Sequence, residues 1–484
     1  MRRVKIFLVF LIITFFSLPI VSSAHSGKAK HHFIIDTDGG TDDYRAICLA
    51  LASQEFEILS ITTSDGVLHP ETTAIKVKAL LETLGHGGIP VGTGKATLKK
   101  APPFRKFAEQ ISWGCTTNLS LPNTTAVELM LKTIQNEDQP ITLVCLGSLT
   151  NIASLFQLHP EIKTKIQQII WYNESLQKPK GFNYECDKES AAQVIRSGCI
   201  LKMISLQDQS HWSWKTFKES GIPYLLYDKL ILSELKQFKD NKHLKDSPAW
   251  LIDELCLLYL ADSTAFISEK DSVMAFSHIK PLKDKDFTPL INKILTDKSV
   301  VRNQVFTIFP SDSPHYQKDV EAIKEECMIK FGPEEWRACV LTNELHGHLG
   351  VYAIIGAKMG LFAREYFNIG KDEFRIVAHT GTIPPYSCMI DGLQVSTGST
   401  TGHGLLTVSG EKAHYPSAEF TFKDQTIRLS LSPEYALMIA SDIKQAVETH
   451  GLGNDLYWIK VRELALKYWS EWNRKEIFDI EKIN

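Results

Sequence analysis

Four aspartates stand within eight residues in Asp36-Thr37-Asp38-Gly39-Gly40-Thr41-Asp42-Asp43. Carboxylates this close repel one another unless protons or a cation offset them. An all-oxygen donor set suits calcium or magnesium, and calcium tolerates irregular geometry. The paired glycines permit a tight backbone between the acids. The plain alternative is a turn whose Thr41 or Asp42 caps the next helix, but a cap needs one such residue, not four. A second group lies far downstream: His346-Gly347-His348 opening an apolar helix, then Cys388 with Asp391, then the Gly/Ser/Thr-rich stretch Ser396–Gly404 containing Thr400 and His403. Imidazole nitrogen and thiolate are ligands for zinc or iron. A Gly/Ser/Thr loop can hold an anion with its N–H groups. The plain alternative there is two histidines at a helix end and a small buried cysteine.

The surrounding pattern says what positions these residues. Short apolar runs at His32–Ile35, Ile58–Thr63, Ile89–Val91, Ile141–Leu146, Ile169–Tyr172 and Leu201–Leu206 read as strands. Helical segments lie between most of them: Asp43–Ser53, Pro70–Leu84 with an apolar stripe, Ala126–Ile134 and Ser190–Ser197. This alternation predicts an α/β N-terminal domain with a mostly parallel sheet. The acidic stretch then leaves the carboxyl end of the first strand, where such sheets place ligands. Val305–Phe309 reads as a last strand before the turn-rich Pro310–Pro314, and a new helix begins near Lys318. The rest of the chain reads as an α+β domain: a helix over Leu349–Phe367, strands at Phe374–Ala378, Gly404–Val408, Ala418–Phe422 and Thr426–Leu431, and closing helices over Pro433–His450 and Asp455–Trp472.

The chain has 484 residues, enough for two or three domains. Apolar residues make up 44% and the formal net charge is -3, which excludes wholesale disorder and leaves no global footprint for nucleic acid or an anionic membrane. Arg2, Arg3 and Lys5, an apolar run from Ile6 to about Ile20, and Ser22-Ser23-Ala24 form the layout of a cleavable secretory signal. The expected division is a signal peptide at 1–24, a first domain at 31–312 and a second at 318–484. The product is expected to be exported, periplasmic in a Gram-negative cell and otherwise secreted, with no stable membrane insertion after cleavage. Nine cysteines leave an odd thiol. Cys48, Cys145 and Cys256 sit in apolar runs as core residues, while Cys327 and Cys339 are candidates to pair.

The acidic stretch resembles the inosine–uridine-preferring nucleoside hydrolases, with Gly39 where their motif has proline. Leu146-Gly147-Ser148-Leu149-Thr150-Asn151-Ile152-Ala153, Phe182-Asn183 with Asp187, and Trp250-Leu251-Ile252-Asp253-Glu254-Leu255 are similar to further motifs of that family. The resemblance implies calcium held by Asp38, Asp43, Asp253 and the backbone carbonyl of Leu146. It implies Asp42 as general base toward water, and Asn183 and Asp36 on the substrate side, Asp36 by orienting the loop. The reaction implied is hydrolysis of an N-glycosidic bond through an oxocarbenium-like sugar. Three positions depart from the pattern: Gly181 replaces a ribose-binding glutamate, Ile252 replaces a histidine that protonates the leaving base, and Ser64-Asp65-Gly66 stands where Gly-Asn is usual. Trp171, Trp212 and Trp214 are candidates to stack on a base.

The downstream group resembles the FmdE family, which takes its name from formylmethanofuran dehydrogenase, with His403 where a basic residue is usual. That resemblance implies a transition metal, zinc or iron, at His346, His348 and Cys388, with Asp391, Thr400 and His403 as possible contacts for a ligand. The expectation is therefore an exported calcium-dependent hydrolase of a nucleoside or related ribosyl compound, fused to an FmdE-like metal-binding domain. Two other readings stay open: a calcium-dependent nucleoside- or carbohydrate-binding protein without turnover, and a protein whose only active site is the His/Cys site. A homo-oligomer is expected, since both families commonly assemble through helices.

Overall fold

The structure is a computed structural model and describes residues 29–483 apart from 54, 118, 174–179, 206–251, 271–275, 284, 297–304, 306–308, 311–314, 411–412 and 453. The N-terminal signal, Trp212, Trp214, most of Val305–Phe309 and most of the turn after it lie outside the described residues. No described helix is long and apolar enough to cross a membrane.

The apolar runs assemble into one sheet. Its strands are β1 (His31–Thr37), β2 (Phe56–Thr63), β3 (Val91–Gly92), β4 (Ile141–Cys145), β5 (Ile166–Tyr172), β6 (Leu201–Ile204), β7 (Phe266–Lys270) and β8 (Phe276–Pro281). The order is β3-β2-β1-β4-β5-β6-β8-β7, parallel except for the edge strand β7. Every residue of β2 and β4 is buried, as expected for strands covered on both faces. The chain runs outward from β1 through β2 to β3, then returns to the other side of β1 as β4. The crevice between β1 and β4 is thus a topological switch point, where open α/β sheets bind ligands.

The second sheet has the order β10-β9-β11-β12-β13, with β9 (Arg375–Ala378), β10 (Leu406–Val408), β11 (Ser417–Phe422), β12 (Gln425–Leu431) and β13 (Phe478–Lys482). Only the β9–β10 pair is parallel. The helix Val351–Phe367 is buried along nearly its whole length against the helix Met389–Thr397. Glycines make that approach possible: a Cβ on Gly356 would lie 2.0 Å from the Met389 carbonyl oxygen. The two units touch through Gly88, whose N–H donates to Tyr366 O at 2.9 Å, and through Lys475 Nζ on Leu84 O at 3.0 Å.

The expected strands coincide with β1, β2, β4, β5 and β6, overrunning β4 by Leu146 and β6 by Ser205, with Leu206 outside the described residues and one strand displaced. β3 starts at Val91 rather than Ile89, after Pro90, which has no N–H to give to a ladder. The helix Pro333–His346 is not legible in the sequence, and it changes the place of the histidine pair. His346 ends this helix instead of opening the next, and Gly347 stops it at φ +80. Cys48, Cys145 and Cys256 are buried core residues. None of the nine cysteines is bonded, so Cys327 and Cys339 do not pair; both sit buried as small apolar groups on successive helices.

Candidate functional site

β1 delivers Asp36 and then turns into the helix Thr41–Ala52. Gly40 occupies the cap position with no side-chain cap, so neither Thr41 nor Asp42 is spent on capping. Gly39 takes φ +81, which a proline could not adopt. This tight path aims the acids at one point. Ligand oxygens of Asp42, Asp43 and Asp253 lie within 4.8 Å of one another. Asp253 arrives from just before the helix Glu254–Ala261. Asp38 faces the same space, and its Oδ2 is buried without a hydrogen-bond partner.

Asp43 is held from behind: Thr37 Oγ1 donates to it, as does the Asp38 N–H at 3.1 Å. Asp36 sits one layer deeper, accepting from Thr62 Oγ1 at 2.6 Å and Asn151 Nδ2 at 2.8 Å. Burial pushes every one of these carboxyls up, and the neighbouring acids push Asp38, Asp42 and Asp253 further. Asp36 and Asp42 are each raised to about 7, while Asp38 and Asp253 stand well above the usual carboxylate range. Arg45, whose charge reaches Asp42, is already engaged by Glu254 at 2.6 Å.

The cluster opens into a cavity of about 420 Å³. Its walls include Leu146, Tyr172, Asn173, Lys180, Gly181, Asn183 and Ile252. Asn183 Nδ2 donates to the Leu146 carbonyl at 2.6 Å, which leaves that oxygen a second lone pair. Trp171 is not a base-stacking residue: it is fully buried and its Nε1 donates to Gly147 O at 3.0 Å. Asp187 caps the helix Lys188–Ile195 and accepts from Thr150 Oγ1, so it is structural. The donor set fits a hard cation: all-oxygen, buried, mutually repelling, and with an orphaned Asp38 oxygen. Glycine leaves room as well; a Cβ on Gly40 would lie 2.5 Å from Asp42 Oδ1.

One other described triad, His32, Glu57 and Glu137, has comparable spacing. There a protein cation already fills the need: Lys423 Nζ lies 3.0 Å from Glu57 and 2.5 Å from Glu137.

The second expected site is brought together only in part. His346 Nδ1 meets Asp391 Oδ2 at 2.7 Å, and the His346 and His348 rings are 4.3 Å apart. His346 Nε2 is buried without a partner. Cys388 is half-buried at the start of the helix that carries Asp391, and burial and the Asp391 charge push its thiol up. Its sulfur forms no close triad with the two histidines, so the expected three-ligand convergence is not formed. His403 turns aside to Gly398 O at 3.1 Å and Asp372 at 3.4 Å, and Thr400 Oγ1 accepts from the His403 N–H.

Arg105 escapes sequence reading, and no nearby motif points to it. It opens a short helix and pairs with Asp65 at 2.8 Å. Asn151 carries a signal, since it stands in the Leu-Thr-Asn-Ile-Ala segment quoted above.

A mostly parallel sheet with an all-oxygen acidic cluster at its switch point defines an α/β protein with a candidate cation site in its ligand crevice. The chain belongs to the inosine-uridine preferring nucleoside hydrolase family, whose model matches residues 33–328. Residues 345–479 match the FmdE model, described as molybdenum formylmethanofuran dehydrogenase operon. The chain is 33% identical over 261 residues to the pyrimidine-specific ribonucleoside hydrolase RihA of Salmonella choleraesuis (strain SC-B67), covering 45% of this chain and 78% of the relative. The same-named protein of Escherichia coli O1:K1 / APEC is 34% identical over 193 residues, covering 37% of this chain and 60% of the relative. Among solved structures, the plant nucleoside hydrolase PpNRh1 matches at 20% identity and a TM-score of 0.45, covering 55% of this chain and 99% of that one.

Proposed function

We propose that the N-terminal unit is a calcium-dependent hydrolase of the N-glycosidic bond of a ribonucleoside or related ribosyl compound. The observation that carries this is the convergence of Asp42, Asp43 and Asp253 in one cavity, with an unpartnered Asp38 oxygen beside them. Asp38, Asp43, Asp253 and the Leu146 carbonyl would hold the ion. When bound, calcium offsets the clustered charge and acidifies a nearby water. Asp42, the half-buried member, accepts the water's proton as general base. Asn183, beside the Leu146 carbonyl, would meet the sugar, and Asp36 fixes the loop through Thr62 and Asn151. The RihA proteins named above are pyrimidine-specific by name, so uridine and cytidine head the substrate panel.

Gly181 and Ile252 both line the cavity, and neither can bond a sugar hydroxyl or protonate a base through its side chain. These two residues favour a second reading, calcium-dependent binding without turnover. Ribose release from a nucleoside panel, with calcium and with chelator, separates the two. The hydrolase reading expects calcium-dependent release, and Asp42→Asn lowering kcat by about 10²–10⁴-fold. Tight binding with no release from any nucleoside overturns it in favour of the second reading.

For the whole chain, the reading is an exported protein, periplasmic or secreted, divided into a signal at 1–24 and units at 31–312 and 318–484, and self-associating. In the second unit His346 and His348 would take zinc or iron, with the Cys388 thiol drawn in as third ligand on binding. Asp391 on His346 Nδ1 leaves Nε2 for a metal, the usual way a carboxylate orients a ligand histidine. Metal content of Cys388→Ser protein tests the thiol's part; full retention rejects it.

A further inference from the structure

Arg105 is buried, 4% exposed, on a short helix after the segment that leaves β3. Its guanidinium bonds four acceptors of one loop. Nε donates to Val67 O at 3.0 Å, Nη2 to Gly66 O at 2.6 Å and to Asp65 Oδ1 at 2.8 Å, and Nη1 meets His69 Nε2 at 2.9 Å. Asp65 is fixed from its other oxygen by the N–H groups of Thr97 and Leu98, at 2.7 and 2.8 Å. The loop so gripped lies directly on Asp38. Leu68 N donates to Asp38 O at 2.9 Å, and a Cβ on Gly66 would lie only 2.0 Å from Asp38 Oδ2. One peptide unit connects the two: its carbonyl, Gly66 O, takes the Arg105 bond, and its N–H, that of Val67, faces the Asp38 carboxylate. A charged donor on the carbonyl also polarises the peptide and strengthens its N–H as a donor.

We infer that Arg105, paired with Asp65, is a positioning residue that sets the Asp38 carboxylate for its cation by fixing the loop 65–69. This rests on the metal reading of the Asp38 cluster. It differs from a plain buried ion pair because the fork makes four bonds to the loop that touches Asp38, of which the carboxylate takes one. Lysine, with one compact ammonium, cannot reproduce a planar fork on four acceptors.

The test is calcium titration of chelator-stripped full-length protein by calorimetry, with melting curves in chelator as the check on folding. Arg105→Lys should bind calcium about 10–100-fold more weakly, with the calcium-free melting temperature little changed and kcat/KM falling in step. Gly66→Ala, which displaces the same peptide from the other side, should weaken calcium comparably. A folded Arg105→Lys protein within about twofold of wild-type affinity overturns the inference, because outer-sphere partners of a metal cost more than that. Wild-type protein that binds no calcium overturns the metal reading instead. If Arg105→Lys does not fold, Asp65→Asn decides by the same measurement, since it keeps an acceptor for Thr97 and Leu98. Failure of both to fold overturns the inference by making the pair a support of the whole unit.

Discussion

Two buried charge clusters divide this molecule. In the first unit, Asp36, Asp38, Asp42, Asp43 and Asp253 crowd together; Arg45, whose charge reaches Asp42 and Asp253, is already paired with Glu254, and the one described cation on the cavity wall, Lys180, is exposed. In the second unit, Lys358 Nζ is fully buried on Glu335 and on Trp472 O at 2.8 Å, and Arg474 bridges Glu335 at 2.8 Å and Glu365. Two cations there meet two carboxylates. The balanced cluster is complete within the chain; the Arg474 charge even holds Glu365 down to about 2. The one-signed cluster is incomplete, and its carboxyls are driven up. Buried charge that balances itself is architecture, and buried charge that does not balance marks where something from outside must enter.

The largest expected effect that would break this contrast is at Lys358. Lys358→Met removes a cation and leaves Glu335 short of a partner, which should cost about 3–5 kcal/mol of unfolding free energy. Denaturant unfolding of the calcium-loaded protein measures it. A loss under about 1 kcal/mol would place this cluster among weak surface-like pairs and end the claim that it is architecture.

The next effect has the opposite sign. In calcium-free protein, Asp253→Asn removes one of several repelling carboxylates, and should stabilise by about 0.5–2 kcal/mol, as relief at an active site does. The wild type should gain about 2.7 kcal/mol at calcium 100-fold above its Kd, and the variant almost none. Melting curves with and without calcium measure both. A variant less stable than wild type without calcium would make the acidic cluster a structural network like the other.

How much of this is legible in the sequence depends on distance along the chain. Asp36 to Asp43 can be read because one strand end and one helix start carry them all, so sequence neighbours are spatial neighbours. The parallel sheet is legible because buried strands such as Phe56–Thr63 are nearly continuous apolar runs. Arg105 is not legible, since its partner Asp65 lies 40 residues away and nothing local demands the pairing. Nor is Lys358, because a charge inside an apolar helix reads as a solvent-facing residue until Glu335 and Trp472 are seen beside it. The sequence pattern puts the histidine pair at the wrong helix end: Pro333–His346 mixes charged and apolar residues, so its period is faint. Cys388 groups with His346 on residue type, and type does not carry distance.

The smallest effect is a pH dependence, and it separates the clusters by sign. Burial first, then the Asp43 charge, raises Asp42 from 3.8 to about 7 in the fold. A raised carboxyl stabilises the fold fully below its unfolded pKa, and this contribution is lost as pH climbs through the folded value. Calcium-free protein should therefore lose stability from this cluster between about pH 4 and 7, while bound calcium favours the ionised form and removes the loss. Glu365 behaves in reverse, its contribution present above 4.5 and lost as pH falls toward about 2, in both states. Half-buried His31 and buried His86, held down to about 4 by burial, titrate in the same window with or without calcium and so leave the difference untouched. The quantity to measure is the calcium-induced rise in melting temperature at successive pH values. It should widen from about pH 4 to 7 and stay flat in Asp253→Asn; a wild-type rise that is constant across that range would mean that the acids are not what calcium relieves.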